Sequence, residues 1–502
     1  MQIDRNNLYT KTYTAAFLGC IAVLPMSDTI ALRNIFLVLM LLLLIIGSVI
    51  SCSVREDVLH AIKMLPIPLL LWIVYLCMFP LWAPKSEIAW ENLRGQWGES
   101  IVAWVVGFGA AAVLGGSGLS LWKLGLASAF PLTVHLVLAC FSYFGFFSAE
   151  YYGNQNLGGL TSELLYWIHG DSAPGVSYHP IDKRFLGIET QPGNIGYASS
   201  IAIGLLATQF FIAKFKNNTK EMVLAFTLII LCFLSILIAR TRGGFIFGLL
   251  MIGMAAISVR LSVRSIQAKN VNLGRPVPVF GQRNLVLLAG ALIFLCISYL
   301  GMKSDPRWAT MADKVRAGFT VVNPIASLCT GLAFAEEKAI RDRLTDKPTS
   351  YVQDVIDGVK GQDGGRVILM RAGIQLVLKN PIGLDGSRQS YERLIRVECN
   401  GIPVLNFANA HNSWIDLSLA LGWLGSTLFF ILFIYFIRYS IIYISDSETM
   451  PIVAALGVIA TFWMIRGFFD ALYREHYLEM QALMIAYLYT ASAIKTTKKS
   501  LV

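Results

Sequence analysis

His411 ends a polar stretch, in Ala-Asn-Ala-His-Asn-Ser-Trp, at the point where an apolar run begins. An imidazole titrates near neutrality. It can take a proton from a hydroxyl, which Lys and Arg cannot do and for which Asp is too weak a base. Asn409 and Asn412 flank it, placed to orient the ring or to bind a sugar. The plain alternative is a histidine at the start of a helix, with Asn409 as the cap. Arginines supply matching charge. Arg240 and Arg242 sit in Ala-Arg-Thr-Arg-Gly-Gly, a tight turn between two apolar runs. Either they snorkel to water, or they form a cation pair for a phosphate, helped by the N–H groups of Gly243 and Gly244 at a helix start. Arg184 precedes another apolar run, and Arg366 opens a helical segment of the longest polar stretch. Each alone reads as a surface charge. With Arg242 they put three guanidinium groups on one face, enough to grip a pyrophosphate. A base and cations at a water–lipid boundary suit transfer chemistry on a lipid-linked anion. A transporter would rather hold its ionisable groups at the bilayer midplane. Asp470, Arg474, Glu475 and His476 form one more charged cluster, read first as a structural ion network.

These groups need a scaffold, and composition defines it. Of 502 residues, 56% are hydrophobic and 14% charged; soluble domains run at about 45–50% and about 25%. The chain is therefore an all-α polytopic membrane protein. Apolar runs of spanning length fall at about 13–27, 30–50, 65–83, 100–117, 123–147, 190–213, 221–239, 243–259, 284–301, 412–438, 450–470 and 474–494, taking roughly 20 residues per span. About 12 transmembrane helices are expected. An even number leaves both termini on one side, and the cations of the short loops, such as Lys214, Lys216, Lys220, Arg260 and Arg264, make that side cytoplasmic. No cleavable signal peptide is expected, because Met1–Lys11 is polar and the first apolar run lacks a small-residue cleavage site.

Three regions follow. Residues 1–301 hold nine spans, with outer loops near 84–99 and 148–189. Residues 302–410 form a partly helical periplasmic loop domain before the tenth helix, and 411–502 hold the last three spans and a short cytoplasmic tail. In the loop domain, Leu-Ala-Phe-Ala-Glu-Glu-Lys-Ala-Ile-Arg-Asp-Arg-Leu and the segment from Gly364 to Asn380 read as helices, the second stopped by Asn380-Pro381. In the loop near 84–99, Trp90, Leu93 and Trp97 recur at helical spacing. That fits a helix lying flat in the interface or an ordinary aromatic belt.

The net charge is +10, yet no basic run interleaves with aromatics, which argues against nucleic acid. Neither a Walker A sequence nor a dinucleotide fingerprint occurs, and no metal-ligand spacing falls on the outer face. Metal-independent, cofactor-free chemistry is expected. Of eight cysteines, only Cys329 and Cys399 lie in the large loop. In an oxidising compartment they are candidates for a disulfide; the alternative is two small buried apolar residues packed apart.

Four segments, in order, resemble the O-antigen ligase and O-antigen polymerase superfamily. Arg184-Phe-Leu-Gly through Gly196 is similar to its Arg-x-x-Gly segment before a helix. Ala-Arg-Thr-Arg-Gly-Gly resembles its Ser-Arg-Gly turn, with Thr241 in the serine position and Arg242 as the cation. The segment from Gly365 to Gly386 resembles its Arg…Asn-Pro-x-Gly-x-Gly segment, with Arg366 as the arginine, although Asp385-Gly386 replaces the commoner Val-Gly. His411-Asn412 through Gly425 resembles its His-Asn…Gly-x-x-Gly helix. The resemblance implies a GT-C-like membrane glycosyltransferase of the bacterial inner membrane, active on its periplasmic side as a monomer. The ligase activity it implies moves polysaccharide from undecaprenyl pyrophosphate to a hydroxyl of lipid A–core, inverting the anomeric carbon. By the same resemblance His411 is the base, and Arg242, Arg366, Arg184 and Arg240 hold the pyrophosphate. A polymerase extending lipid-linked repeats, a protein O-oligosaccharyltransferase and a polysaccharide or lipid transporter are the competing readings.

Overall fold

The computed structural model describes residues 2–26, 29–114, 119–144, 177–179, 184–187, 192–272, 307–361, 363–444, 448–472 and 475–500, with a few helical residues between 295 and 303. Helices α1 (Gln2–Val23), α2 (Ile30–Ile50), α3 (Cys52–Lys63) and α4 (Ile67–Met78) open the chain. Helix α5 (Ser86–Asn92) passes through a wide turn at Leu93–Trp97 into α6 (Gly98–Leu114), and α7 (Leu121–Tyr143) follows. A small antiparallel hairpin, β1 (Ser177–His179) and β2 (Arg184–Gly187), precedes α8 (Pro192–Phe215), α9 (Thr219–Ile238) and α10 (Arg242–Asn272). Then come α11 (Arg307–Thr320), α12 (Pro324–Thr330), α13 (Phe334–Arg343), α14 (Thr349–Gly361), α15 (Asp363–Lys379) and α16 (Ser390–Glu398). The chain closes with α17 (Ser413–Ile442), α18 (Met450–Arg466) and α19 (Glu475–Ser500).

Among the described residues, seven helices are long and apolar enough to cross a membrane, and eight if α3 and α4, bent by 82°, count as one span. The bend falls at Leu65-Pro66-Ile67-Pro68, where proline removes backbone donors and bars the preceding residue from helical geometry. The expected total of twelve is not reached. The run at 284–301 lies largely outside the described residues. Helix α18 is apolar but has only 17 residues, and α1 and α19, which cover the first and last expected runs, are not among the seven. What stands is a mostly helical, multi-pass membrane protein.

The helices between Arg307 and Glu398 enclose a second apolar cluster, built on Val355, Ile356, Val359, Ile368, Leu369 and Leu376. Lys314 is fully buried beside it, its stem crossing Gly358 and its Nζ 2.9 Å from Asp354. Cys329 and Cys399 are joined in a disulfide with Cα atoms 5.2 Å apart, 70 residues apart in sequence. Backbone bonds from Val404 to Cys329 (3.3 Å) and from Leu405 to Leu328 (3.0 Å) run beside it. Closing a loop of that length contributes about 4 kcal/mol in the chain-entropy account. Alkylation of unreduced, denatured protein should leave both residues unlabelled until reductant is added. Full labelling without reductant would show the bond absent.

Helix α17 is broken at Gly422, whose φ of 76° lies in the left-handed region. The break frees carbonyls, and in a membrane protein each must be satisfied internally. The segment after α15 does this. Leu384 N–H donates to Leu419 O (2.9 Å), Gly386 N–H donates to Ala420 O (3.0 Å), and Trp423 N–H donates back to Pro381 O (2.9 Å). The Tyr75 hydroxyl donates to Leu421 O at 2.5 Å. Gly383, with φ 84°, meets Gly422 so closely that a Cβ on it would lie 2.3 Å from Gly422 N. Asp385, fully buried, accepts from Ser387 N–H and the Ser390 hydroxyl and pairs with Arg393. It therefore staples the turn that follows it, where Asp385-Gly386 stands in place of the commoner Val-Gly. Trp97 does not lie flat in the interface: it is buried, and its Nε1–H donates to Gly386 O at 3.0 Å. Trp90 remains partly exposed.

Candidate functional site

The turn between α9 and α10 is closed by Arg240 in a left-handed conformation, φ 48°. It lets Thr241 N–H donate to Ile236 O at 3.1 Å and ends α9 without a glycine. The Arg240 carbonyl accepts from Arg307 at 2.9 Å. Gly244 packs against Gly196 of α8, where a Cβ would lie 2.8 Å from Gly196 Cα. The second and first matched segments are thus in contact through two glycines.

Arg242 begins α10 and is already engaged. Its guanidinium reaches both oxygens of Asp363, at 3.0 and 2.9 Å, donates to Arg307 O at 3.2 Å, and lies 6.0 Å from the Trp308 ring. Asp363 opens α15, and Arg366 follows one turn on. Arg366 is exposed and makes no side-chain hydrogen bond among the described residues. The third segment is therefore tied to the second by an ion pair, with a free guanidinium beside it.

His411 is also left-handed, φ 50°, a conformation uncommon outside glycine, in which Asn, Asp and His are the side chains best tolerated. Asn409 holds it there by accepting the His411 N–H at 3.0 Å. Asn409 is not the helix cap. Asn412 is, its Oδ1 accepting from Trp414 and Ile415 N–H at 3.1 Å each while its Nδ2 donates to Phe468 O at 3.0 Å. Asn412 is buried, and these three bonds give it a structural role. Ser413 completes the clamp, with its N–H on Gly467 O (2.7 Å) and its hydroxyl on Asp470 O (2.7 Å).

This clamp brings Asp470 to the imidazole. His411 Nδ1 lies 3.7 Å from Asp470 Oδ1, and the His411 side chain keeps 26% of its surface exposed. The separation is longer than a hydrogen bond, as catalytic contacts in ligand-free proteins often are. Asp470 Oδ2 accepts from Arg466 at 2.9 Å and Oδ1 from Ala471 N–H at 3.0 Å. Burial pushes the Asp470 carboxyl up, but the nearby His411 ring and the charges of Arg466 and Arg366 outweigh it. They hold it well below the usual carboxylate range. Asp470 is an anion throughout the neutral range, oriented toward the ring nitrogen that faces it.

Arg466 was not singled out by sequence, and neither was Asp363. Arg466 ends α18, buried, with its guanidinium 4.7 Å from the Tyr197 ring and 4.4 Å from the Phe247 ring. It also packs on Gly243, where a Cβ would sit 2.8 Å from Nη1. It joins the Arg242 turn to the Asp470 carboxylate. The legible signal was the i, i+4 spacing of Arg466 and Asp470 at the end of an apolar run. Of the expected charged cluster, Asp470 turns toward His411 and His476 packs on Tyr477 at 3.9 Å. Arg474 and the Glu475 side chain lie outside the described residues. Arg184 is placed only by its backbone, on β2 opposite His179, and its side chain also lies outside them.

The fold and this convergence define a class, a multi-pass membrane protein with a histidine, an aspartate and guanidinium groups gathered where helices α8, α10, α15 and α17 begin. Residues 201–430 match the family model described as O-antigen ligase. Over that stretch the chain is similar to the O-antigen ligase superfamily, whose members are glycosyltransferase-like proteins acting in O-antigen processing on lipid-linked polysaccharide. No curated protein sequence matches the chain. The matched stretch contains Arg242, Arg366 and His411 and stops short of Arg466 and Asp470.

Proposed function

We propose that the chain is an inverting, metal-independent O-antigen ligase, which moves polysaccharide from undecaprenyl pyrophosphate to a sugar hydroxyl of lipid A–core on the periplasmic side of the inner membrane. The contact of His411 with Asp470, beside the free guanidinium of Arg366, carries this reading. With Nδ1 turned to the carboxylate, Nε2 is left to accept the acceptor hydroxyl's proton. The acceptor oxygen then bonds to the anomeric carbon. The bond from that carbon to the pyrophosphate oxygen breaks on the opposite face, and its electron pair leaves with the pyrophosphate. Asp470 stabilises the imidazolium formed, while Arg366 and Arg242 stabilise the leaving charge. Asp363 must share Arg242 with that phosphate. The disulfide of the loop domain, 302–410, supports an oxidising compartment for the same face.

Arg366→Ala should reduce donor use without loss of stability, because the side chain is exposed and unbonded, and lysine should rescue it poorly for want of the planar fork. Arg242→Ala should impair both donor use and stability, because it strands the Asp363 carboxylate. Full rescue by lysine at both positions would reduce the effect to simple charge. Turnover should survive EDTA; inactivation reversed by a divalent cation would overturn the metal-independent step. The reaction itself is settled by deletion of the gene. Long lipid-linked polymer together with uncapped lipid A–core marks a ligase. Single capped repeats without polymer mark a polymerase.

A further inference from the structure

At the end of α17 opposite His411 a cavity of about 460 Å³ opens between α17, α19 and the junction of α3 with α4. Beyond the break at Gly422, where the Ser426 hydroxyl donates to Trp414 O at 3.3 Å, the helix rise carries Arg438 roughly 18 Å past the level of Trp414. Tyr435, Tyr439 and Tyr443 recur every four residues on one face of α17 and meet Tyr489 of α19. The Tyr439 ring lies 4.5 Å from that of Tyr443 and 4.7 Å from that of Tyr489. The inner hydroxyls are taken up within the protein. Tyr489 donates to Met64 O at 2.9 Å, the Tyr435 and Tyr489 hydroxyls are 3.2 Å apart, and Thr496 donates to Ser492 O at 3.0 Å. Two donors at the mouth are not. Arg438 is exposed and forms no ion pair, and the Tyr443 hydroxyl no hydrogen bond, among the described residues. No described carboxylate lines the cavity.

An unpaired guanidinium and a phenol over aromatic walls favour an oxyanion and disfavour an ammonium group. The walls decide the source. A free phosphate has no use for tyrosine rings, whereas the glycerol region of a lipid lies at the depth where such rings collect. Ile441 and Ile442, exposed on the same turn, continue the surface toward acyl chains. We propose that this cup binds the phosphodiester of an anionic membrane phospholipid, with Arg438 and Tyr443 on the phosphate and the tyrosine rings against its glycerol. The site is independent of the transfer reaction and of the side on which it occurs.

The test uses the full chain in detergent micelles, read by native mass spectrometry against phosphatidylglycerol, phosphatidylethanolamine and inorganic phosphate. Wild-type protein should retain phosphatidylglycerol about 10-fold better than phosphatidylethanolamine, and Arg438→Gln should remove about that factor. Arg438→Lys should keep most of it, and Tyr443→Phe, which adds no charge change, should lower it less. Equal retention of phosphatidylglycerol by wild type and both Arg438→Gln and Tyr443→Phe would overturn the proposal. So would equal retention of phosphatidylethanolamine, or displacement of phosphatidylglycerol by equimolar inorganic phosphate. Lipid-free melting temperatures should match across the variants, and Tyr443→Phe alone decides the matter if Arg438→Gln does not fold.

Discussion

Replacing His411 by asparagine or alanine should lower turnover by about 10²–10⁴, the usual yield of a positioned general base, in protein that inserts and folds normally. The asparagine variant is the cleaner one. His411 sits at φ 50°, and Asn tolerates that region better than most side chains, so the substitution removes the base without adding backbone strain. The measurement is transfer by purified protein from lipid-linked donor to acceptor under single-turnover conditions. Near-normal rates would falsify His411 as the base. Asp470→Asn offers the companion reading. It keeps the size of the side chain but removes the charge facing the imidazole and one of the two acceptors that Arg466 and the Ala471 N–H use, so it should lower the rate while His411 stays in place.

The second large effect is on folding. Gly422→Val should destabilise the protein by on the order of 3 kcal/mol. Backbone at φ 76°, ψ 176° is essentially reserved for glycine and costs a side-chain-bearing residue about 1–3 kcal/mol, and overpacking adds about 1–3 kcal/mol. The overpacking is specific: a Cβ at Gly422 would lie 2.4 Å from Ile382 O, a backbone atom that cannot swing away. Gly386→Ala separates the two contributions. Its φ is also positive, 70°, but the nearest atom to a Cβ would be 3.5 Å away, so only the conformational cost applies. Thermal unfolding in one detergent compares them. A Gly422→Val protein that melts with wild type would mean that the α17 break straightens at no cost.

Much of this architecture is written in local signals. The turn between α9 and α10 is bounded by apolar runs on both sides, α15 stops at Asn380-Pro381, and the two loop cysteines had only each other for partners. These depend on short-range preferences of the backbone or on simple elimination. The site is different. His411, Arg242 and Arg366 can be picked out by residue type, but their partners cannot. Asp363 is one of many acidic residues in a polar loop until folding lays α15 against the start of α10. Asp470 reads as part of a charged end-of-helix cluster until Ser413 and Asn412 clamp its loop onto α17. The same holds for Trp97, whose spacing fits a surface helix and whose indole is in fact spent on Gly386 O. The break at Gly422 is hidden because an unwound helix and a straight one have the same hydrophobic content. Only the segment that fills the gap distinguishes them.

The clamp between the start of α17 and the loop after α18 bears on how this protein can be divided. A fragment ending where the family match ends, at residue 430, would keep the histidine and both matched arginines and lose the carboxylate that faces the ring. It would also lose Arg466, the group that ties that carboxylate to the Arg242 turn. The recognisable stretch is therefore not a portable module. In a chimera between two such proteins, a junction placed inside α18 would pair one parent's imidazole with the other's anion. Workable crossovers lie before α8 or after the start of α19, so that the whole ring of contacts travels as one inheritance unit.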